Sequence, residues 1–198
     1  AHYLLGCTYR DLKDVPMELH CFLEATEKAD TTQKDCDLYT LVAIYGQMAD
    51  LYHSQFLPEK ELETLKKCEE IAWKDKDTLS ALKACELQLR PYNLLGNQDS
   101  ILSITNIVRD KYLRYNMVKD AARILGSSIY VLLKRNEIDS VRTYMDIFER
   151  DSRLWNDGNI LSTKAKLYYY YKGKLSLIDI LKNTGSLSIL DTKSKYSE

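Results

Sequence analysis

The chain has 198 residues, 45% of them hydrophobic and 29% charged, which is the composition of a folded protein and excludes an intrinsically disordered chain. The formal net charge is -1, and Lys and Arg form no dense stripe of the kind that non-specific phosphate binding needs, so direct nucleic-acid binding is not expected. No apolar run reaches the roughly 18–20 residues of a membrane span; the longest, Ile124 to Leu133, is interrupted by Gly126, Ser127 and Ser128.

In chain order, helical spacing predicts helices over 1–12 and 16–30, with Asp14 as a cap and Pro16 in the first turn of the second. Helices over 36–54 and 58–74 follow. Pro58, Glu59 and Glu61 open the latter, where the helix dipole favours acids, and Leu62, Leu65, Cys68 and Ile71 recur along one face. The next helix, 77–95, contains Pro91, which is expected to kink it or end it early. A turn at Gly96-Asn97 leads into 98–115, where Ile101, Ile104, Ile107 and Val108 share a face. Helices over 117–135 and 138–150 are separated by Arg135, Asn136 and Glu137, the second carrying Val141, Tyr144, Ile147 and Phe148. Helices over 158–172 and 175–183 close the pattern, and 184–198 reads as a polar, partly disordered tail. Only 7 Gly and 3 Pro are present, which suits long elements, and 15 Tyr suit half-exposed helix faces.

Short loops between helices favour antiparallel neighbours. Aligning the second helix of each pair matches Glu18-Leu19 with Phe22 and Ala25 to Glu61-Leu62 with Leu65 and Cys68, 43 positions on. Ser100-Ile101 with Ile104 and Ile107 matches 39 further, Ser140-Val141 with Tyr144 and Ile147 another 40, and Ser176-Leu177 with Ile180 another 36. A hairpin of this size cannot bury its own apolar face, so stacked repeats are implied. The expected architecture is all-α: one helical repeat domain over 1–183, with units at about 1–34, 36–76, 77–115, 117–155 and 157–183.

The stretch Leu5-Gly6-x-x-Tyr9 followed by Phe22 and Ala25 resembles the tetratricopeptide repeat signature. Tyr45, Met48, Ala49, Tyr52 and Cys68 take the corresponding places in the second unit. The segment Ala1 to Asp30, and the run Leu167 to Gly173, are similar to repeats of envelope-associated tetratricopeptide proteins of Bacteroidetes-type bacteria. The resemblance implies a right-handed α-α superhelix of about five antiparallel hairpins whose first helices line a concave groove. It also implies protein–protein interaction: a scaffold holding a peptide or partner protein. Groove residues would be Tyr3, Cys7 and Arg10 in the first unit, then Gln47, Asp50, His53 and Ser54. Glu86, Leu89, Tyr92 and Asn93 follow in the third, and Tyr168 and Tyr169 in the fifth. That groove would be aromatic, amide and acidic, with little positive charge. The Lys/Asn/Arg clamp with which some relatives grip a C-terminal carboxylate cannot be assembled here. Departures from the signature are Glu18 and Glu61 where a small residue is usual, each of which must reach solvent or find a donor, and Asp30 and Trp73 in place of the terminal Pro.

The same likeness admits an alternative, a sensory or regulatory segment of a larger membrane-linked or DNA-binding bacterial regulator. Self-association through end repeats is a third possibility, because an uncapped array exposes apolar surface. The likeness favours the bacterial envelope, facing the periplasm and membrane-anchored in a longer protein, over the cytoplasm. Five cysteines without a C-x-x-C pair suit buried free thiols and, taken alone, a reducing compartment. No catalytic, cofactor or metal motif is found. G-x-S-x-G, H-E-x-x-H and phosphate-loop patterns are missing, and His2, His20 and His53 lack ligand spacing. A binding protein rather than an enzyme is expected. The more ordinary reading of Tyr168 to Tyr171 is that about two of the four rings pack inside, and of His53 that it is a surface residue at a helix end.

Overall fold

The computed structural model describes residues 1–156, 159–160 and 162–183. Eleven helices are found among them: α1 (His2–Asp11), α2 (Val15–Glu27), α3 (Leu38–Ser54), α4 (Pro58–Lys74), α5 (Thr78–Leu87), α6 (Leu89–Leu94), α7 (Gln98–Arg114), α8 (Val118–Arg123), α9 (Leu125–Lys134), α10 (Ile138–Asp151) and α11 (Ser162–Asn183). Two two-residue strands, β1 (Trp155–Asn156) and β2 (Asn159–Ile160), pair antiparallel ahead of α11. No described helix is long and apolar enough to cross a membrane. The expected tail at 184–198 lies outside the described residues. The chain divides into two compact units, Ala1–Met117 and Val118–Glu198.

The connections repeat one backbone device. Lys13, Phe56, Lys76, Gly96, Asn116, Asn136 and Arg153 each follow a helix in the left-handed conformation, with φ between 52° and 67°. At the first six, this residue's N–H bonds the carbonyl three positions back and the next N–H bonds the carbonyl five back, as in Lys13 to Arg10 and Asp14 to Tyr9. The chain reverses within three residues and the terminal carbonyls are satisfied. Asp14, Asp77 and Asn97 then cap the following helix, accepting from the N–H of Met17, Ser80 and Ser100 at 3.2, 3.1 and 3.0 Å. The turns after the first helix of each hairpin fall at 13, 56, 96 and 136, which are steps of 43, 40 and 40 residues.

In the first unit, α1 packs on α2 where Gly6 admits the Phe22 ring: a Cβ there would lie 2.4 Å from Phe22 Cε1. Phe22, Ile44, Met48 and Tyr52 form one buried cluster, with Tyr3, Leu19 and Leu57 against it. Leu41, Val42, Cys68, Ile71, Ala72, Ala81 and Ala84 form a second, joining α3, α4 and α5. Each fully buried Leu or Phe side chain stabilises by about 1.5–3 kcal/mol. In the second unit, Val141, Met145 and Phe148 of α10 and Ile129, Val131 and Leu132 of α9 are buried. Side-chain bonds tie α11 to them: Tyr171 donates to the Gly126 carbonyl at 3.0 Å, and Arg142 pairs with Asp179.

Two expectations need correction and a third is refined. The helices placed at 158–172 and 175–183 are one, α11, and Gly173 lies inside it with open space around its Cα. Pro91 does disturb its helix, in the three residues before the ring and not at the ring itself. The helix is interrupted at Gln88, whose N–H bonds the Cys85 carbonyl at 3.3 Å, and α6 continues through Pro91 to Leu94. The ring has no N–H to give the carbonyl four residues back, so the strain is relieved just upstream. The faces of α7 and α10 are also one residue out of phase with the serine-led alignment. The buried residues are Ile101, Thr105 and Val108, then Val141, Met145 and Phe148, while Ile107 is exposed. The register that recurs is therefore 18/22/25, 61/65/68, 101/105/108 and 141/145/148, and Glu18 and Glu61 correspond to Ile101 and Val141.

Candidate functional site

The first helix of each hairpin carries a stripe that flanks its core face. On α3 the core takes Leu41, Ile44, Met48 and Tyr52, which leaves Gln47, Asp50 and His53 toward solvent at three-residue spacing. The structure brings several predicted residues together here. Arg10 Nη1 donates to Gln47 Oε1 at 2.9 Å, and Gln47 Nε2 donates to the Tyr3 hydroxyl at 3.4 Å. Forty residues after Asp50 stands Arg90, which the sequence reading did not single out. It donates from Nη1 to Asp50 Oδ1 at 2.9 Å and from Nε to Glu61 Oε1 at 2.8 Å.

Glu61 is the centre of this network. Its side chain is 0% exposed, in the first turn of α4, and its second oxygen accepts from His53 Nδ1 at 2.9 Å. A carboxylate can only accept, so the ring proton sits on Nδ1. The carboxylate that breaks the small-residue rule has thus found two donors, and Arg90 bridges α3, α4 and α6. Arg90 Nη2 is buried without a hydrogen-bond partner. Glu18, the equivalent residue of the first hairpin, is also buried, and burial raises its pKa against the lowering influence of the Arg10 guanidinium.

The remaining predicted residues are placed separately. Glu86 is engaged by the Tyr112 hydroxyl at 2.6 Å and Lys83 Nζ at 3.2 Å. Asn93 is exposed and caps its own turn through the Leu89 carbonyl, and Tyr92 is half-buried. Tyr168 does not line an open surface. It is buried against Trp155, ring centroids 5.0 Å apart, its hydroxyl donating to Glu149 at 2.8 Å and accepting from Lys172 at 2.7 Å. Its bond to Glu149 turns it toward α10. Tyr169 is 59% exposed. Of the four tyrosines, Tyr168 and Tyr171 pack inside, and Tyr169 and Tyr170 do not.

A second polar cluster lies between α4, the α5–α6 junction and α7. Glu69 accepts from Gln88 Nε2 at 2.7 Å, from Trp73 Nε1 at 3.3 Å and from Lys111, whose ammonium also reaches Cys85 Sγ at 3.5 Å. Burial alone would raise the Glu69 pKa, but the bonds from Lys111, Trp73 and Gln88 outweigh it and hold the carboxyl below the usual range. Burial pushes the Cys68 and Cys85 thiols up to about 11, the opposite of what a nucleophile needs. All five cysteines are free. Among the described residues no group of three or more His, Cys, Asp or Glu could hold a metal ion.

Two of the clefts among the described residues border predicted or repeated positions. One of about 380 Å³ lies between the ends of α1 and α2 and the start of α3, lined by His2, Tyr3, Lys28, Asp30, Asp37 and Ile44 among others. The other, about 230 Å³, lies in the second unit and is lined by Tyr130, Leu133, Lys134, Tyr170, Lys174 and Ile178. The sequence reading missed this one, although a signal exists. Tyr-x-x-x-Lys occurs at 130–134 and again at 170–174, 40 residues on, which is the step of the turns.

No protein-family model and no curated protein matches this chain. Solved structures do: it superposes on the crystal structure of BtubC (BKLC) from P. vanneervenii with a TM-score of 0.65 at 12% identity, over 100% of this chain and 81% of that chain. At that identity the likeness is one of fold alone.

Proposed function

We propose that this chain is an interaction module of the tetratricopeptide type, holding a peptide or partner protein on the outward stripe of the first helices of its hairpins. One observation carries the reading. Positions 50, 90, 130 and 170, each 40 residues apart, are Asp, Arg, Tyr and Tyr, and all reach the surface while Ala49, Leu89, Ile129 and Tyr171 beside them are buried. A scaffold that repeats its turns and its core register but varies one surface stripe has that stripe available for recognition. Tyr, Gln, Asn and Arg there offer contact area and hydrogen bonds at low entropic cost.

The test is capture of a partner by the immobilised chain, followed by substitution on both sides of the hairpins. Asp50→Lys, Tyr92→Ala and Tyr130→Ala should release the captured protein, and Glu63→Lys on the exposed face of α4 should not. Release by the α4 change with retention by the stripe variants would overturn the proposal.

A further inference from the structure

In the second unit the outward stripe of α9 and α11 is built as a pair. Lys134 Nζ sits 4.5 Å from the centroid of the Tyr130 ring, and Lys174 Nζ sits 5.6 Å from that of Tyr170. The two rings are 40% and 48% exposed, and both pairs line the same cleft of about 230 Å³, with Leu133 and Ile178 as its apolar wall. Among the described residues no carboxylate lines it. Of the acids on α10 and α11, Asp179 pairs with Arg142, Glu149 with Lys172 and Tyr168, and Asp151 with Arg150. Among the described residues, neither Lys134 nor Lys174 has a carboxylate partner. This contrasts with the equivalent stripe of the first unit, where Arg90 is answered by Asp50 and Glu61. Charge follows the same division: residues 118–198 hold 14 Lys and Arg against 10 Asp and Glu, a net of +4, while residues 1–117 hold 14 against 19, a net of -5.

From this geometry we infer that the Tyr130–Lys134 and Tyr170–Lys174 pairs form a docking site for an acidic peptide segment, the inference resting on the interaction-module reading above. A ring face beneath an ammonium limits the side chain's wandering and leaves its N–H donors turned outward. Two such ammoniums from two helices take two carboxylates, and an aliphatic side chain between them meets Leu133 and Ile178. The cleft is smaller than the roughly 300–1,000 Å³ of a typical small-molecule pocket, which suits one or two side chains of an extended peptide. Two lysines are not the stripe that a nucleic-acid backbone requires.

The experiment uses the full chain and two fluorescein-labelled peptides, one alternating Glu with Leu and the other alternating Gln with Leu, read by anisotropy at low and at physiological salt. The acidic peptide should bind about tenfold or more tightly than its amide counterpart, and the advantage should shrink with added salt. Lys134→Gln with Lys174→Gln should abolish the advantage without changing the circular-dichroism melt, because both side chains are exposed. Equal binding of the two peptides, discrimination that survives the double variant, failure of both peptides to bind, or stronger competition by a single-stranded oligonucleotide would each overturn the inference. Equal binding that is lost in Asp50→Lys and kept in the lysine variants would overturn the acidic site alone and leave the interaction-module reading standing. Equal binding of the two peptides by the parent chain, together with partner release only by α4 changes, would remove both.

Discussion

The Glu61–Arg90 pair makes a quantitative test of how the first unit holds together. Glu61 is fully buried and the Arg90 side chain is 27% exposed, so their 2.8 Å contact is only partly screened by water. At an effective dielectric of about 20, two unit charges about 4 Å apart attract by about 4 kcal/mol, and removing one partner of a buried pair costs about 3–5 kcal/mol because the other charge is stranded. Arg90→Met strands Glu61 with His53 as its one remaining donor, and about 3 kcal/mol of destabilisation is expected. Glu61→Met alone leaves Arg90 with Asp50, a contact 68% exposed on the acid side, so its cost is nearer 1–2 kcal/mol. The double replacement removes both charges and fills the space with apolar atoms. It should lie within about 1 kcal/mol of the parent, a coupling of at least about 2 kcal/mol. The assay is urea unfolding followed by tryptophan fluorescence in a Trp155→Phe background, where Trp73 reports the first unit alone. If Arg90→Met costs less than about 0.5 kcal/mol, or if the double variant costs the sum of the singles, the bridge is not what holds α6 to α4.

Three further outcomes follow from particular contacts. Phe56 stands in the left-handed region at φ 56° and is 76% exposed, so Phe56→Gly removes a backbone penalty of about 1 kcal/mol at little cost in packing and should raise the denaturation midpoint. Gly6→Ala forces a Cβ against the buried Phe22 ring and should destabilise by about 1–3 kcal/mol, measured in the same unfolding assay and partly reversed by Phe22→Leu. Lys111→Met removes a donor that keeps the Glu69 carboxyl below its unfolded pKa. The stability from that depression is present above the unfolded value of about 4.3 and is lost as pH falls through the lower folded value. The parent's advantage over Lys111→Met should therefore be full at pH 7 and shrink as pH falls toward 3; a constant difference would remove Glu69 as its source.

Helices and turns were legible because both are local. Periodicity places α2, α3, α4, α7 and α10 within a few residues of their observed ends. Gly96, Asn116 and Asn136 are residue types that favour the left-handed turn position. Lys13, Phe56 and Lys76 give no such sign, and the same turn forms there because the helices on either side pack. Phase was less legible. Ile101, Ile104 and Ile107 and the observed Ile101, Thr105 and Val108 are both acceptable helical stripes, and the choice between them is made by the neighbouring helices. That Thr105 is buried and Ile107 exposed reflects a hydroxyl that returns its proton to the Ile101 carbonyl at 2.7 Å and so enters the core satisfied. Partners were not legible at all: Arg90 meets Glu61 and Asp50 across 29 and 40 residues, and no local pattern announces it.

The corrected register changes what the repeats imply about recognition. At the packing positions, each residue is constrained by the one it faces. Gly6 admits Phe22, and the equivalent positions one hairpin on hold Ala49 and Leu65, so a larger residue on one helix goes with a smaller one on the other. Glu61 escapes that rule only by drawing Arg90 and His53 to itself, which takes two surface residues of the stripe out of circulation. The first unit thus satisfies its charge internally at position 90, and in the second the equivalent Tyr–Lys pairs meet no carboxylate among the described residues. If the stripe serves recognition, selectivity for charge resides where the fold has not already consumed it. Exchanging the two situations should move that selectivity. Arg90→Tyr with Leu94→Lys, alongside Glu61→Met to remove the stranded acid, places a Tyr-x-x-x-Lys pair on α6 and should add affinity for the acidic Glu/Leu peptide. Unchanged affinity in a folded variant would mean that the pairs of α9 and α11 act through their shared cleft rather than singly.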